Sequence, residues 1–128
     1  MKTIIHTDDA PKAVGPYSQA VRTGNLLFTA GQVAIDPAIG KMIEGDIIAQ
    51  TERVMQNLQA VLAAAGTSFD HVVKTTVFLA DMADYAGMNE VYGRYIGNNP
   101  PARSAFAVRG LPLGAKVEIE MVVEIPDA

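Results

Sequence analysis

Residues 46 to 65 constrain the fold more than any other stretch of this chain. Ile47, Thr51, Val54, Leu58, Val61 with Leu62, and Ala65 recur every three or four residues, while Gln50, Glu52, Arg53, Gln56, Asn57 and Gln59 fill the other face. That period is an amphipathic helix, and its apolar stripe must lie on another element. Asp46 stands where its carboxylate can accept the orphan amides of the first turn. Gly66 stands where a left-handed residue ends a helix without steric cost. A second helix is predicted over Met82 to Ile96, ended by Gly97. Its stripe of Tyr85, Met88, Tyr92 and Tyr95 reads as helix core.

The surface for these helices comes from strands. Lys116 to Ile125 is the cleanest: Val117, Ile119, Met121, Val123 and Ile125 alternate with Glu118, Glu120, Val122 and Glu124. Val72 to Leu79 is a β-rich run, Ser104 to Arg109 another, and Lys2 to Ile5 a short one. Tyr17 to Arg22 and Leu26 to Ala30 flank the turn signal Thr23-Gly24-Asn25 and read as a hairpin. Gly31 interrupts a pattern that Gln32 to Ile35 resumes, which signals a bulge or a close backbone approach. Thr7 to Pro16, Asp36 to Gly40 and Asn98 to Pro101 read as loops or turns. Two helices and about six strands in one domain, residues 1–128, point to an α+β fold: a mixed six-stranded sheet with both helices on one face. The other sheet face must then meet water or another subunit. Composition favours the subunit, because 49% of the 128 residues are hydrophobic and only 19% charged, more apolar material than one small core readily hides.

Several chemistries are excluded or disfavoured. The chain has no cysteine, so it has no disulfide, thiolate metal site or cysteine nucleophile. No phosphate-cradling glycine loop and no G-x-S-x-G elbow occurs. His6 and His71 lie in unrelated contexts and form no metal-ligand pair. A net charge of −4 argues against a surface built to neutralise phosphates. No apolar run reaches the ~20 residues that span a bilayer, and Met1 to His6 lacks a secretory apolar core, so a soluble cytoplasmic protein is expected.

The positive signal lies in the C-terminal third. Pro100-Pro101-Ala102-Arg103-Ser104 delivers Arg103 at the start of a strand, and Glu118 lies in the next. If those strands pair as an antiparallel ribbon, Arg103 and Glu118 approach on one face. They then form either a surface ion pair or part of a cleft in which the guanidinium fork takes a carboxylate. Glu118, Glu120 and Glu124 share the face opposite the Ile/Met/Val row. One of them, if partly buried, would exchange protons near neutrality. Tyr17, after Gly15-Pro16, is either an aromatic packed at a strand start or a phenol at a cavity rim. Asn89 is either a solvated helix residue or one turned inward.

Six segments in this order and spacing carry a family resemblance: Gly15-Pro16-Tyr17-Ser18-Gln19-Ala20, Gly31-Gln32, Val73-Lys74-Thr75-Thr76-Val77-Phe78-Leu79, Asn89-Glu90-Val91-Tyr92, Pro101-Ala102-Arg103 and Val117-Glu118-Ile119-Glu120. Over nearly its whole length the chain resembles the RidA family of enamine/imine deaminases. The resemblance implies a chorismate-mutase-like α+β fold and a homotrimer with its active sites in clefts between subunits. It implies hydrolysis of 2-aminoacrylate and related enamine/imine acids to 2-keto acids and ammonia, with no metal and no cofactor. By position it makes Arg103 the clamp on the substrate carboxylate and Glu118 the residue that positions or activates water. Tyr17 becomes the cleft tyrosine, Gly31 a pocket-lining backbone, and Asn89 a support from the second helix. Ala30 stands where many members have serine, and Ala105 where many bacterial members have cysteine. Ala105 still offers its backbone amide for binding. Two alternatives remain at this level: a ligand-sensing or chaperone-like module using the same clefts, and an endoribonuclease or translation inhibitor, which the acidic balance opposes.

Overall fold

The computed structural model describes residues 1–126. In chain order the elements are β1 (Lys2–Ile5), β2 (Ala20–Thr23), β3 (Leu26–Thr29), β4 (Ile35–Asp36), β5 (Lys41–Met42), α1 (Ile47–Ala64), β6 (Val72–Leu79), α2 (Tyr85–Ile96), β7 (Ala102–Ala107) and β8 (Val117–Glu124). Six strands form one sheet in the order β1-β2-β3-β8-β6-β7, and β4 and β5 form a separate small hairpin. Within the main sheet β6 and β7 run parallel, joined across α2, and the other neighbours are antiparallel. The expected α+β architecture is therefore present. Among the described residues no helix is long and apolar enough to cross a membrane.

Local chemistry explains the element ends. Asp46 Oδ1 accepts the Ala49 amide at 3.0 Å and starts α1. Gly66 takes a φ of 81° just past its end. A 3₁₀ turn over Met82–Asp84 leads into α2, so the predicted second helix is right in place but not uniform in its first turn. β7 starts two residues earlier than the sequence pattern suggests, because pairing with β6 begins at Lys74↔Ala102, directly after the proline loop.

Both helices bury their stripes on one sheet face. Val54, Met55, Leu58 and Leu62 of α1 and Met88 and Tyr92 of α2 pack with Val77, Leu79, Val117, Ile119, Met121 and Val123. Each such aliphatic side chain stabilises the fold by roughly 1.5–3 kcal/mol relative to exposure. Gly87 lets α2 close on α1, since a Cβ there would lie 2.6 Å from Ile47 Cγ2. The alternation of β8 holds: its odd-numbered residues are buried, while Glu120 and Glu124 are exposed on the other face. That face keeps Phe28 and Phe106 exposed at 44% each, with Phe106 packed edge-on against Phe78.

The helix pattern needs one correction. Gln50 and Asn57 fall on the polar face by period, yet both are buried. The chain between β3 and α1 covers that side, and the amides satisfy its backbone. Asn57 Nδ2 donates to the carbonyls of Val33 at 3.2 Å and Ile35 at 2.9 Å. Asn57→Ala leaves the Ile35 carbonyl without a donor, while the Val33 carbonyl keeps the Ile35 amide at 2.8 Å, so chemical denaturation is expected to show a loss of about 1–3 kcal/mol.

Candidate active site

The antiparallel ribbon expected between the strands of Arg103 and Glu118 does not form. β6 lies between β7 and β8, pairing with both. The connection from β7 passes over the end of β6 before β8 begins, through a turn in which Leu113 has a φ of 57°. Register then separates the two residues further. Arg103 sits in the row Arg103–Thr75–Met121, on the helix-covered face. Glu118 sits in the row Glu118–Phe78–Phe106, on the open face. In one chain they point away from each other across the sheet.

Each residue has its own setting. Arg103, on the edge strand β7, reaches α2. Its Nη2 donates to the Tyr85 hydroxyl at 2.9 Å, and its Nη1 approaches Met88 Sδ at 3.9 Å. The guanidinium carbon lies 4.8 Å from the Tyr92 ring centre and 5.6 Å from that of Tyr85. Tyr92 keeps its hydroxyl bonded to buried Thr75 at 2.8 Å, and burial pushes this phenol up. The two ion pairs among the described residues are His6–Asp8 and Glu90–Arg94, so Arg103 faces no carboxylate there. Its neighbours are ring faces and a phenol, which orient a cation without neutralising it. Asn89, Tyr92, Ile96, Pro101 and Arg103 line an open cleft of about 380 Å³. Ala105, two residues along β7, lies on the same helix-covered face, beside Val77.

The second group gathers around Glu118. Gly31 and Gln32 run antiparallel to β8, with Gln32 and Ile119 exchanging both backbone hydrogen bonds. A Cβ on Gly31 would fall 2.6 Å from Glu118 Oε2, so any side chain here would force the Glu118 carboxyl group to move away. Burial first, and the charge of Glu120 second, push the Glu118 carboxyl above its ordinary range. The Ala30 amide donates to the Gln19 carbonyl at 2.9 Å, which brings the Tyr17 loop against this strand. Tyr17 itself is 52% exposed, its hydroxyl accepting from the Val14 amide at 3.4 Å.

The predicted site residues thus fall into two groups. Gly31 and Glu118 are in contact, with the Tyr17 loop beside them. Arg103, Asn89 and Ala105 lie at the β7–α2 edge. Sequence reasoning missed Tyr85 and Tyr92 as the Arg103 cradle and Gln19 as the anchor of the Tyr17 loop. Buried Gln19 Nε2 donates to the carbonyls of Thr7 at 2.9 Å and Pro11 at 2.8 Å, while its Oε1 accepts the Thr7 amide. A signal for Tyr92 exists in principle, since a core tyrosine must bond its hydroxyl.

The backbone matches the solved structure of RidA from the Antarctic bacterium Psychrobacter sp. with a TM-score of 0.93 and 45% identity, covering 96% of this chain and 99% of that one. The fold is that of the Rid proteins. Residues 7–125 match the family described as Endoribonuclease L-PSP. Protein DfrA of Myxococcus xanthus is 56% identical over 120 residues, 92% of each chain. The 2-iminobutanoate/2-iminopropanoate deaminase of Mus musculus is 43% identical over 122 residues, 95% of this chain and 90% of its own length. The chain belongs to the RidA, or Endoribonuclease L-PSP, family.

Proposed function

We propose that this protein hydrolyses reactive 2-imino acids, formed from 2-aminoacrylate and 2-aminocrotonate, to 2-keto acids and ammonia. The observation that carries this reading is Arg103: a half-buried guanidinium held by two tyrosine rings, facing an open cleft and, among the described residues, no carboxylate. Such a group is ready for a small anion. The mouse relative's name supplies the substrate class. The net charge of −4 and three glutamates on the open sheet face set this surface against a polyphosphate backbone.

In the proposed reaction the enamine first takes a proton from solvent at its terminal carbon and becomes the protonated imine. Arg103 holds the carboxylate. Glu118, ionised, takes a proton from water as the oxygen attacks the imine carbon, giving a carbinolamine. Protonated Glu118 then returns that proton to the nitrogen; as the C–N bond breaks, the hydroxyl proton passes to the Glu118 carboxylate and on to solvent, and ammonia leaves the 2-keto acid. A carboxyl group whose pKa is raised by burial suits both halves of this exchange. Because Arg103 and Glu118 face away from each other within one chain, the complete site is proposed to form between subunits of a homotrimer. One copy brings Arg103, with Asn89 and the Ala105 backbone alongside. Its neighbour brings Glu118, Gly31 and Tyr17. The exposed phenylalanines of the open sheet face would be covered in the same assembly.

The test generates 2-aminoacrylate in situ with a pyridoxal-phosphate serine/threonine dehydratase and follows decay of the imine. Added protein is expected to accelerate the decay and release of pyruvate and ammonia. Decay at the uncatalysed rate overturns the reading.

A further inference from the structure

The reaction above leaves Tyr85 without a part, yet its phenol is the oxygen bonded to the Arg103 fork, at 2.9 Å. Tyr92 also lies against the guanidinium, but spends its hydroxyl on Thr75. The Met88 contact at 3.9 Å is a weak sulfur acceptor. Of the two phenols around Arg103, Tyr85 is the one closely bonded to its N–H groups, while Tyr92 approaches them only weakly and is committed to Thr75. An arginine carries five such donors in a rigid fork, so one bond to Tyr85 fixes the plane and leaves the other donors for a ligand.

We propose that Tyr85 is a substrate-positioning residue: neutral, it orients the Arg103 fork in the cleft; ionised, it occupies the guanidinium in place of the substrate carboxylate. This rests on the reading of Arg103 as the carboxylate anchor. A neutral phenol leaves the positive charge of Arg103 unspent. A phenolate makes an internal ion pair that an incoming carboxylate must displace. Arg103 is the charged group facing Tyr85 from β7, and Asn89 faces it from its own helix. The Asn89 hydrogen bond first, and the Arg103 charge second, hold the Tyr85 phenol below its ordinary value of 10.0. Burial holds Tyr92 above that value, so the two phenols ionise in separate ranges. By linkage, an anion on Arg103 raises the Tyr85 phenol again, and anion affinity must fall as pH rises.

The experiment measures binding of 2-oxobutanoate by calorimetry from about pH 7.5 to about pH 10.5, across the ordinary phenol range. In the wild type the dissociation constant is expected to climb severalfold. In Tyr85→Phe, which keeps the ring, it should stay within about twofold, because no phenolate forms to compete. Tyr92→Phe keeps the wild-type climb, although its ring touches the same guanidinium. A Tyr85→Phe profile as steep as wild type, or a climb lost only in Tyr92→Phe, overturns the proposal. Imine decay separates this failure from that of the underlying reading. If Arg103→Ala leaves the decay unchanged, both fall. If Arg103→Ala abolishes it while Tyr85→Phe titrates like wild type, the positioning role alone falls.

Discussion

Arg103→Ala is expected to lower kcat/KM for imine hydrolysis by roughly 30-fold to several thousand-fold, the equivalent of about 2–5 kcal/mol of lost anchoring for a desolvated charged pair. The expected loss is large because none of the described side chains it touches can stand in for its charge. Arg103 rests on Tyr85, Tyr92 and Met88, none of which carries positive charge. Arg103→Lys should recover only part of the rate, since an ammonium is a point charge without the planar fork. The fold should tolerate both variants. Arg103 lies on an edge strand, and what it loses is one hydrogen bond and two ring contacts, together worth on the order of 1–3 kcal/mol. Thermal unfolding beside the kinetic assay separates the two effects. Near-wild-type turnover in a folded Arg103→Ala protein would remove the anchor from the mechanism.

Glu118→Gln is the second large effect, and it divides activity from stability. Glutamine keeps the size of the side chain but cannot carry a proton between water and nitrogen. kcat should fall by about 10²- to 10⁴-fold, the range for one general acid–base group, with KM little changed. Wild-type kcat/KM should show an acid limb above the ordinary glutamate value of 4.5, and the glutamine variant should lack it. Stability follows from the sign of the shift. A folded-state pKa raised above the unfolded one means that the carboxyl group favours the fold below its ordinary value. This contribution disappears as pH rises through the raised value. At neutral pH the ionised Glu118 therefore opposes folding slightly. The group is partly solvated, so screening keeps the effect small. Glu118→Gln should unfold at the same or a slightly higher temperature than wild type near neutrality, and the difference should vanish as pH falls below 4.5. An inactive variant that is also markedly less stable would point to a structural role instead.

The helices were readable from sequence because their signals are local. Asp46, the apolar period of α1 and Gly66 each act within a few residues of the structure they specify. The alternation in β8 likewise fixed which residues face the helices and left Glu118 and Glu120 together on the opposite side. Strand order is not local, and there the reading failed. Residues 102–107 and 117–124 follow one another in sequence, but β6 supplies a buried partner for both and takes the central place. Arg103 was identifiable as a residue, but its face depends on pairing with Thr75, which no spacing reveals. Tyr85 and Tyr92 have the helical spacing of core residues, and only the arginine arriving from another element turns their rings into a cradle. Gly31 was the better signal. A glycine within an extended pattern predicted a close approach, and the partner is the Glu118 carboxyl group itself.

Placing Arg103 and Glu118 on opposite faces of one sheet has a genetic consequence under the proposed trimer. Two inactive variants should complement. Arg103→Ala subunits retain the Glu118 group, and Glu118→Gln subunits retain Arg103, so a mixed trimer contains some intact interfaces. With equal amounts and random assembly, about a quarter of the sites pair two unaltered halves, the statistical expectation for a closed ring. Unfolding and reassembling the two dead proteins together should restore about that fraction of wild-type activity, whereas mixing them without subunit exchange should restore none. Catalysis would then be a property of neighbours, and a defective allele could be rescued by a differently defective one.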